Sequence, residues 1–392
     1  MRHPLLTDLL KKEMTRKEFL GFTALTVASM FGIFGVVTEL LSHAATPYAS
    51  SEAESGDLAG TASKVSDSSA SEGEAVIFGT ASSIVPNVPA NVMFGMFMAE
   101  SNYTTSTIAT TEALIGRKID LFLDYQNWNN GTSTIPTIPS SVIDGIGTAG
   151  YQWTIQPSSG PNGATTANCV QWQNLIAGDY DTEIKAFADW INNNWGRTLY
   201  VRFAHEMNGS GWYDWQVGGS CGVTSAANYA AGFNHFASVL KANTSYAKLV
   251  WAVNVGYDNV ASYYPSECDV MAMDGYNDVG SSTWLTDAQV FASTYSQVCA
   301  CDPEKPVWIA EMACMEPDAS WTYNGVTYPA QPQYSKATWV STFLNSTDYP
   351  RLQASTWFNI EKEMNWTVNS STTSTNAFYA AFVNSRNGAA LS

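Results

Sequence analysis

Positive charge is scarce in this chain: 18 Lys and Arg stand against 35 Asp and Glu among 392 residues, a formal net charge of −17. Phosphate binding needs clustered cations, so nucleic acid is excluded as a partner. Histidine is also rare, and beyond residue 45 only His205 and His235 occur, far apart. With Cys299-x-Cys301 spaced unlike C-x-x-C, a structural zinc site is not expected. No glycine-rich phosphate loop follows the first long apolar run, which speaks against a nucleotide-binding sheet. No Gly-x-Ser-x-Gly turn supports a serine esterase. Gly209 stands where a zinc H-E-x-x-H motif needs its second histidine. The chain is therefore expected to work without metal or cofactor, as a monomer.

Large apolar and aromatic side chains are plentiful, with 14 Trp, 19 Tyr and 17 Phe. Most of these rings belong to a large core, and the remainder suit a protein that stacks rings on something flat. The first 45 residues form a separate object. Lys11, Lys12, Arg16 and Lys17 precede an apolar run from about Phe19 to Leu41, which exits through Ser42-His43-Ala44-Ala45. That order reads as an export signal, or as a membrane anchor if uncleaved. Lys17 stands where a twin-arginine signal has its second Arg. Residues 46–75 are rich in Ser, Ala, Gly and Glu and read as a flexible linker. The chain is thus expected to be secreted or anchored at the cell surface. The six cysteines lie in the exported part, which favours disulfides, and six allow fifteen pairings.

After residue 90 the pattern becomes regular. Apolar runs of strand length fall at Val92–Met98, Ile119–Tyr125, Tyr151–Gln156, Leu199–Ala204, Leu249–Val255, Val270–Met273, Val307–Ala310 and Gln353–Phe358. Several are almost continuously hydrophobic, as expected for parallel strands buried on both faces. Helical periodicity lies between them at Asp181–Asn193, Asn228–Lys241, Asp287–Val298 and Lys336–Leu344. Eight strand–helix units suggest an α/β fold closed as a (β/α)8 barrel over 76–392, with an open doubly wound sheet as the alternative.

Such barrels place their sites at the carboxyl ends of the strands. Glu206 follows the fourth strand, in Tyr200-Val201-Arg202-Phe203-Ala204-His205-Glu206, and Glu311 ends the seventh apolar run. Two carboxyl groups in one mouth can cut a glycosidic bond, one protonated and one ionised. Glu206, among His205, Trp212 and Trp215, has the apolar surroundings of a general acid; Glu311 is the better nucleophile. Period-two alternation puts Asp274 and Tyr276 on one face of the sixth strand, where the Tyr276 hydroxyl could keep Glu311 ionised. The same alternation places Arg202 one layer below Glu206, as a charge favouring nearby carboxylates or as a structural ion pair. His205 reads as a proton carrier or a hydrogen-bonded strut. Trp128, Trp153, Trp212, Tyr213 and Trp357 are candidate sugar platforms, each with loop packing as the alternative.

The run Tyr200–Gly209 with Trp212 resembles the acid/base strand of glycoside hydrolase family 26. The resemblance continues through Gly178-Asp179-Tyr180-Asp181, Trp251-Ala252-Val253-Asn254, Tyr264-Pro265, Met273-Asp274-Gly275-Tyr276-Asn277, Ile309-Ala310-Glu311, and Trp357-Phe358-Asn359 with Lys362-Glu363. It implies a (β/α)8 barrel and a retaining double displacement, with Glu206 as acid/base and Glu311 as nucleophile. It further implies Tyr276 bonded to the nucleophile, Trp357 beside the cleaved sugar, and a polysaccharide substrate. β-Mannan comes first, with mixed-linkage β-glucan or β-xylan as alternatives. Met312-Ala313-Cys314 and Asp214 depart from the family's pattern near the sugar sites. A barrel that binds polysaccharide without cleaving it is the rival reading from another class.

Overall fold

The computed structural model describes residues 63–66, 74–77, 92–99, 102–128, 134–158, 168–278, 284–317, 320–323 and 326–384. The chain divides into two units, Met1–Ile84 and Val85–Ser392. In the first, Ser63–Ser66 pairs antiparallel with Glu74–Ile77. This short ribbon falls largely within the stretch expected as linker, and the rest of 46–75 lies outside the described residues, as does the expected export segment 1–45. No helix among the described residues is long and apolar enough to cross a membrane.

The second unit holds eight parallel strands: β1 Met93–Phe97, β2 Leu121–Asn127, β3 Gly150–Gln156, β4 Leu199–Phe203, β5 Ala247–Asn254, β6 Val270–Asn277, β7 Val307–Cys314 and β8 Leu352–Phe358. They pair in sequence order, and β8 closes on β1, so the sheet is a complete (β/α)8 barrel without edges. Every strand expected from the apolar runs is present. The helices fall between them: α1 Thr105–Ile115, α2 Ser140–Ile146, α3 Trp172–Ala177 and α4 Asp181–Trp190 (both between β3 and β4), α5 Ala226–Asn243, a 3-10 turn Val260–Tyr263 between β5 and β6, α6 Asp287–Cys301, α7 Lys336–Asn345 and, after β8, α8 Thr372–Asn384. The periodic stretch that begins at Asp181 leaves α-geometry at Trp190 and continues as a π-helical turn through Trp195. Ser225, Thr286 and Ser335 cap α5, α6 and α7 with side-chain oxygens, and Thr286 with Gln289 forms a complete capping box.

Two apolar layers result. Leu121, Val250, Ala252, Ala272, Trp308, Ala310 and Ala354 fill the barrel's interior. The many alanines leave room for the Trp308 indole, which meets the Tyr200 ring edge-on at 4.5 Å. The alternate residues point outward and join a second, larger layer with the helices. Strand parity therefore decides whether a side chain at a strand end faces the barrel's mouth or its helical jacket.

Candidate active site

The carboxyl ends of the strands enclose a cavity of about 590 Å³. Its lining follows parity: Phe97 ends β1, Tyr125 and Gln156 lie at the ends of β2 and β3, Asn254 ends β5, Tyr276 nears the end of β6 and Phe358 ends β8. Glu206 and Glu311 lie in the same wall.

The two acids reach the mouth by different distortions of the backbone. Beyond β4, Ala204 and Glu206 adopt left-handed conformations at φ 48° and 53°, which L-residues take at a cost of about 1–2 kcal/mol each. The turn brings both His205 and Glu206 to the site, and the Glu206 amide bonds the Ala252 carbonyl at 2.8 Å. In β7 the ladder slips. Ile309 pairs with Met273 but Glu311 pairs with Asp274, so Ala310 is an extra residue, a bulge. Trp308 and Ala310 both face the interior. Glu311, three positions after Trp308, would point outward on an unbroken strand, and the bulge turns it in.

Below the acids lies Arg202, fully buried. Its guanidinium spans the barrel, donating through Nε to Thr154 Oγ1 at 2.9 Å and through Nη1 to Asp274 Oδ2 at 3.0 Å. Its Nη2 bonds Glu311 Oε1. The Tyr276 hydroxyl donates to the other oxygen of Glu311 at 2.5 Å. One carboxylate oxygen from each of Glu206, Asp274 and Glu311 lies within 4.8 Å of the other two, and the cation among them is Arg202.

The shared guanidinium separates the acids electrically. Burial alone would raise the Glu311 carboxyl, but the Arg202 charge, helped by the Tyr276 hydroxyl, outweighs it and holds Glu311 below the ordinary carboxylate range. Burial pushes Glu206 up to about 7, and the negative charge of Glu311 adds to the rise; Asn254 and the Trp212 indole, whose Nε1 donates to Glu206 Oε2 at 3.2 Å, resist it. Asp274, fully buried, is also raised by burial despite Arg202, with Glu311 beside it. His205 is depressed to about 3 by burial and by Arg202, and its Nε2 lies 4.0 Å from Glu311.

The loop after Glu206 is ordered by a residue that sequence reasoning missed. Gln216 Oε1 accepts the backbone amides of Gly211, Trp212 and Tyr213 at 2.7, 3.0 and 3.3 Å, while its Nε2 donates to the Glu206 carbonyl at 2.7 Å. Gly209 permits this closure, because a Cβ there would lie 2.3 Å from Gln216 Nε2 and from the Trp212 ring. Trp212 and Tyr213 consequently face the cavity, and Tyr213 stacks on buried Trp215 at 4.3 Å. Asp214 turns away from the cavity and accepts the Ser158 hydroxyl at 3.0 Å. The Cys169–Cys221 disulfide anchors the same region, whereas Cys268, Cys299, Cys301 and Cys314 are free, so the expected pairing is met by one bridge.

Three expected platforms do not line the cavity. Trp128, Trp153 and Trp357 are buried; Trp153 and Trp357 have the outward parity of their strands, and Trp128 follows the last residue of β2. Trp128 packs on Phe203 and Phe236 in the helical jacket, and Trp153 donates to the Pro136 carbonyl. Trp357 lies edge-on to Phe378 and donates to the Trp366 carbonyl at 2.7 Å. In its place Phe358 and Trp366 present their rings to the cavity, with Lys362 and Glu363 beside them. The signal was available: Ala354 faces the interior, and two further steps of two reach Phe358.

No protein-family model matches the chain. Among curated proteins it is similar to Endoglucanase H of Acetivibrio thermocellus, 28% identical over 284 residues. The alignment takes in 68% of this chain and 28% of the relative, so the chain spans little more than a quarter of that protein's length. Among solved structures it resembles a Bacillus subtilis mannanase, with a TM-score of 0.50 and 14% identity over 76% of this chain and 87% of that one. It also resembles a ruminal family-26 endo-β-1,4-mannanase, with a TM-score of 0.50 and 13% identity over 78% and 65% of the two chains. At such identities the likeness is one of fold, and it is a fold shared with mannanases of the family that the sequence motifs resemble.

Proposed function

We propose that the chain is a retaining endo-β-glycanase, with Glu311 as nucleophile and Glu206 as acid/base. The observation that carries this reading is a pair of carboxyl groups in one cavity with opposed protonation tendencies and oxygens within 4.8 Å of each other. A retaining mechanism needs its carboxyl groups about 5–5.5 Å apart, whereas an inverting one leaves about 6.5–9.5 Å for a water. Ionised Glu311 attacks the anomeric carbon while Glu206 gives its proton to the departing glycosidic oxygen. Glu206, now ionised, takes a proton from the water that releases the sugar from Glu311, and two inversions restore the configuration.

Among the described residues the cavity wall carries Glu206, Glu311, Asp278 and Glu363 against one cation, Lys362, so a neutral glycan suits it better than a uronic acid polymer. The rings of Trp212, Tyr213, Phe358 and Trp366 supply apolar faces for pyranose C–H surfaces. β-Mannan is the first substrate proposed, on the strength of the motif resemblance. A second reading, β-glucan, is favoured by the name of the sequence relative, an endoglucanase. The site would act at an extracellular polysaccharide.

The test is reducing-sugar release from mannan, mixed-linkage glucan and xylan by the purified chain. Glu206→Ala and Glu311→Ala should each lower turnover by about a thousandfold or more, and azide should restore one of them. Near wild-type activity in Glu311→Ala would remove it as the nucleophile, and no release from any β-glycan would sink the enzymatic reading.

A further inference from the structure

A pair of aromatic rings outside the cavity stays unused by the proposed chemistry. Trp284 and Tyr334 stack face to face, with centroids 5.3 Å apart and planes 7° from parallel. Their places in the fold correspond: Trp284 lies two residues before the N-cap of α6 and Tyr334 one residue before the N-cap of α7. Both helices begin at the barrel end where their preceding strands stop, α7 after a loop that carries the hairpin Trp321–Tyr323 with Val326–Tyr328, so both rings belong to the barrel face that holds the active site. The Leu285 amide bonds the Asn277 side chain at 3.1 Å, which draws the loop back to the end of β6. Trp284 therefore stands one residue from a contact with the strand that delivers Tyr276, and Asp278, next along that strand, already lines the cavity.

The pair is not sealed into a core. Tyr334 is 39% exposed and Trp284 is half-buried. Stacking covers one face of each ring, and rigid aromatic surface beside a binding cavity marks a contact site for a ligand longer than the cavity. We propose that Trp284 and Tyr334 form a platform that grips the same β-glycan chain where it leaves the cavity on the β6–β7 side. The proposal rests on the endo-glycanase reading, since an endo-acting site must accommodate chain on both sides of the cleaved bond. The occupant is a neutral β-linked pyranose polymer. Its C–H faces lie on the rings, and its hydroxyl groups remain in water, as a ligand held at an open rim requires.

Two measurements on the full chain test this. In the first, chains carrying Glu311→Gln, which bind but do not cleave, are run through gels containing soluble mannan or mixed-linkage glucan. Tyr334→Ala and Trp284→Ala should each weaken retention about tenfold. In the second, with Glu311 intact, the same two variants should raise KM for the polymer. Turnover of oligosaccharides short enough to fill only the cavity should stay within about twofold of the wild type. Equal retention with and without the rings overturns the platform. So does a parallel loss on polymer and short oligosaccharide, because then the pair merely braces the two loops. If the wild type cleaves no β-glycan at all, it is the catalytic reading that fails, and the gel experiment still decides whether the rings hold polymer. Tyr334, being exposed, can be truncated without opening a cavity, so its variant reports even where Trp284→Ala loosens the loop.

Discussion

The Tyr276→Phe substitution isolates one contribution to the charge state of Glu311. It deletes the hydroxyl that donates to Glu311 Oε2 at 2.5 Å and leaves the Arg202 bond to the other oxygen in place. The ring keeps its neighbours, Phe358 at 5.7 Å and Trp366 at 5.4 Å, so the cavity wall should hold its shape. A hydrogen bond to a charged group contributes about 1.5–3 kcal/mol. With about 1.36 kcal/mol to one pH unit, the Glu311 carboxyl should rise by roughly one to two units. In the proposed mechanism Glu311 must be ionised to attack, so activity is lost as pH falls through its pKa. The acid limb of kcat/KM on soluble β-glycan should therefore move up by the same one to two units. The basic limb, governed by burial of Glu206 and by a Glu311 charge that is present in both proteins at that pH, should barely move. An acid limb that coincides with the wild type, with activity lost uniformly at all pH values, would refute the argument. The hydroxyl would then act on the sugar and not on the nucleophile.

In the wild type, Glu206 raised to about 7 must hold its proton to act as the acid, so kcat/KM should fall as pH rises through about 7; a flat profile to well above that pH would contradict its role. Replacing Arg202 by Met strands two buried carboxyl groups without their cation and should lower unfolding free energy by about 3–5 kcal/mol in urea titration. A loss below about 1 kcal/mol would mean that the acids simply take up protons at no cost. Cys169 and Cys221 close a loop across 52 positions, so their double replacement by Ala should cost about 2–4 kcal/mol, and reductant should reproduce the loss in the native chain alone.

Much of the barrel is legible in the chain because its strands are buried on both faces. Val270–Met273 and Val307–Ala310 stand out as unbroken apolar runs, and the observed strands contain them and extend further to Asn277 and Cys314. The same property hides orientation. In β7 every residue is buried, so nothing in the composition marks the bulge at Ala310 that turns Glu311 inward. Trp357 illustrates the converse. A large ring at the end of a strand looks like a platform, yet its outward parity sends it under α8, and its neighbour Phe358 takes the mouth. Asp214 looked out of place in the chain for a related reason: its role is to tie the loop to Ser158, a contact across 56 positions that local sequence does not show. Gln216 gave no signal at all, since its work is done on backbone amides.

Arg202 also bears on how the protein folds. Its three side-chain partners, Thr154, Asp274 and Glu311, lie 48, 72 and 109 positions away, on β3, β6 and β7. Contacts of such long range form slowly, because the intervening chain must be ordered before they give any return. A half-assembled barrel would leave a guanidinium and two acids facing an apolar interior without each other. The charge cluster thus works as a lock that engages only when the circle of strands is complete. The ionised Glu311 and the closed barrel should appear in the same kinetic phase, and recovery of activity should be the last event on refolding.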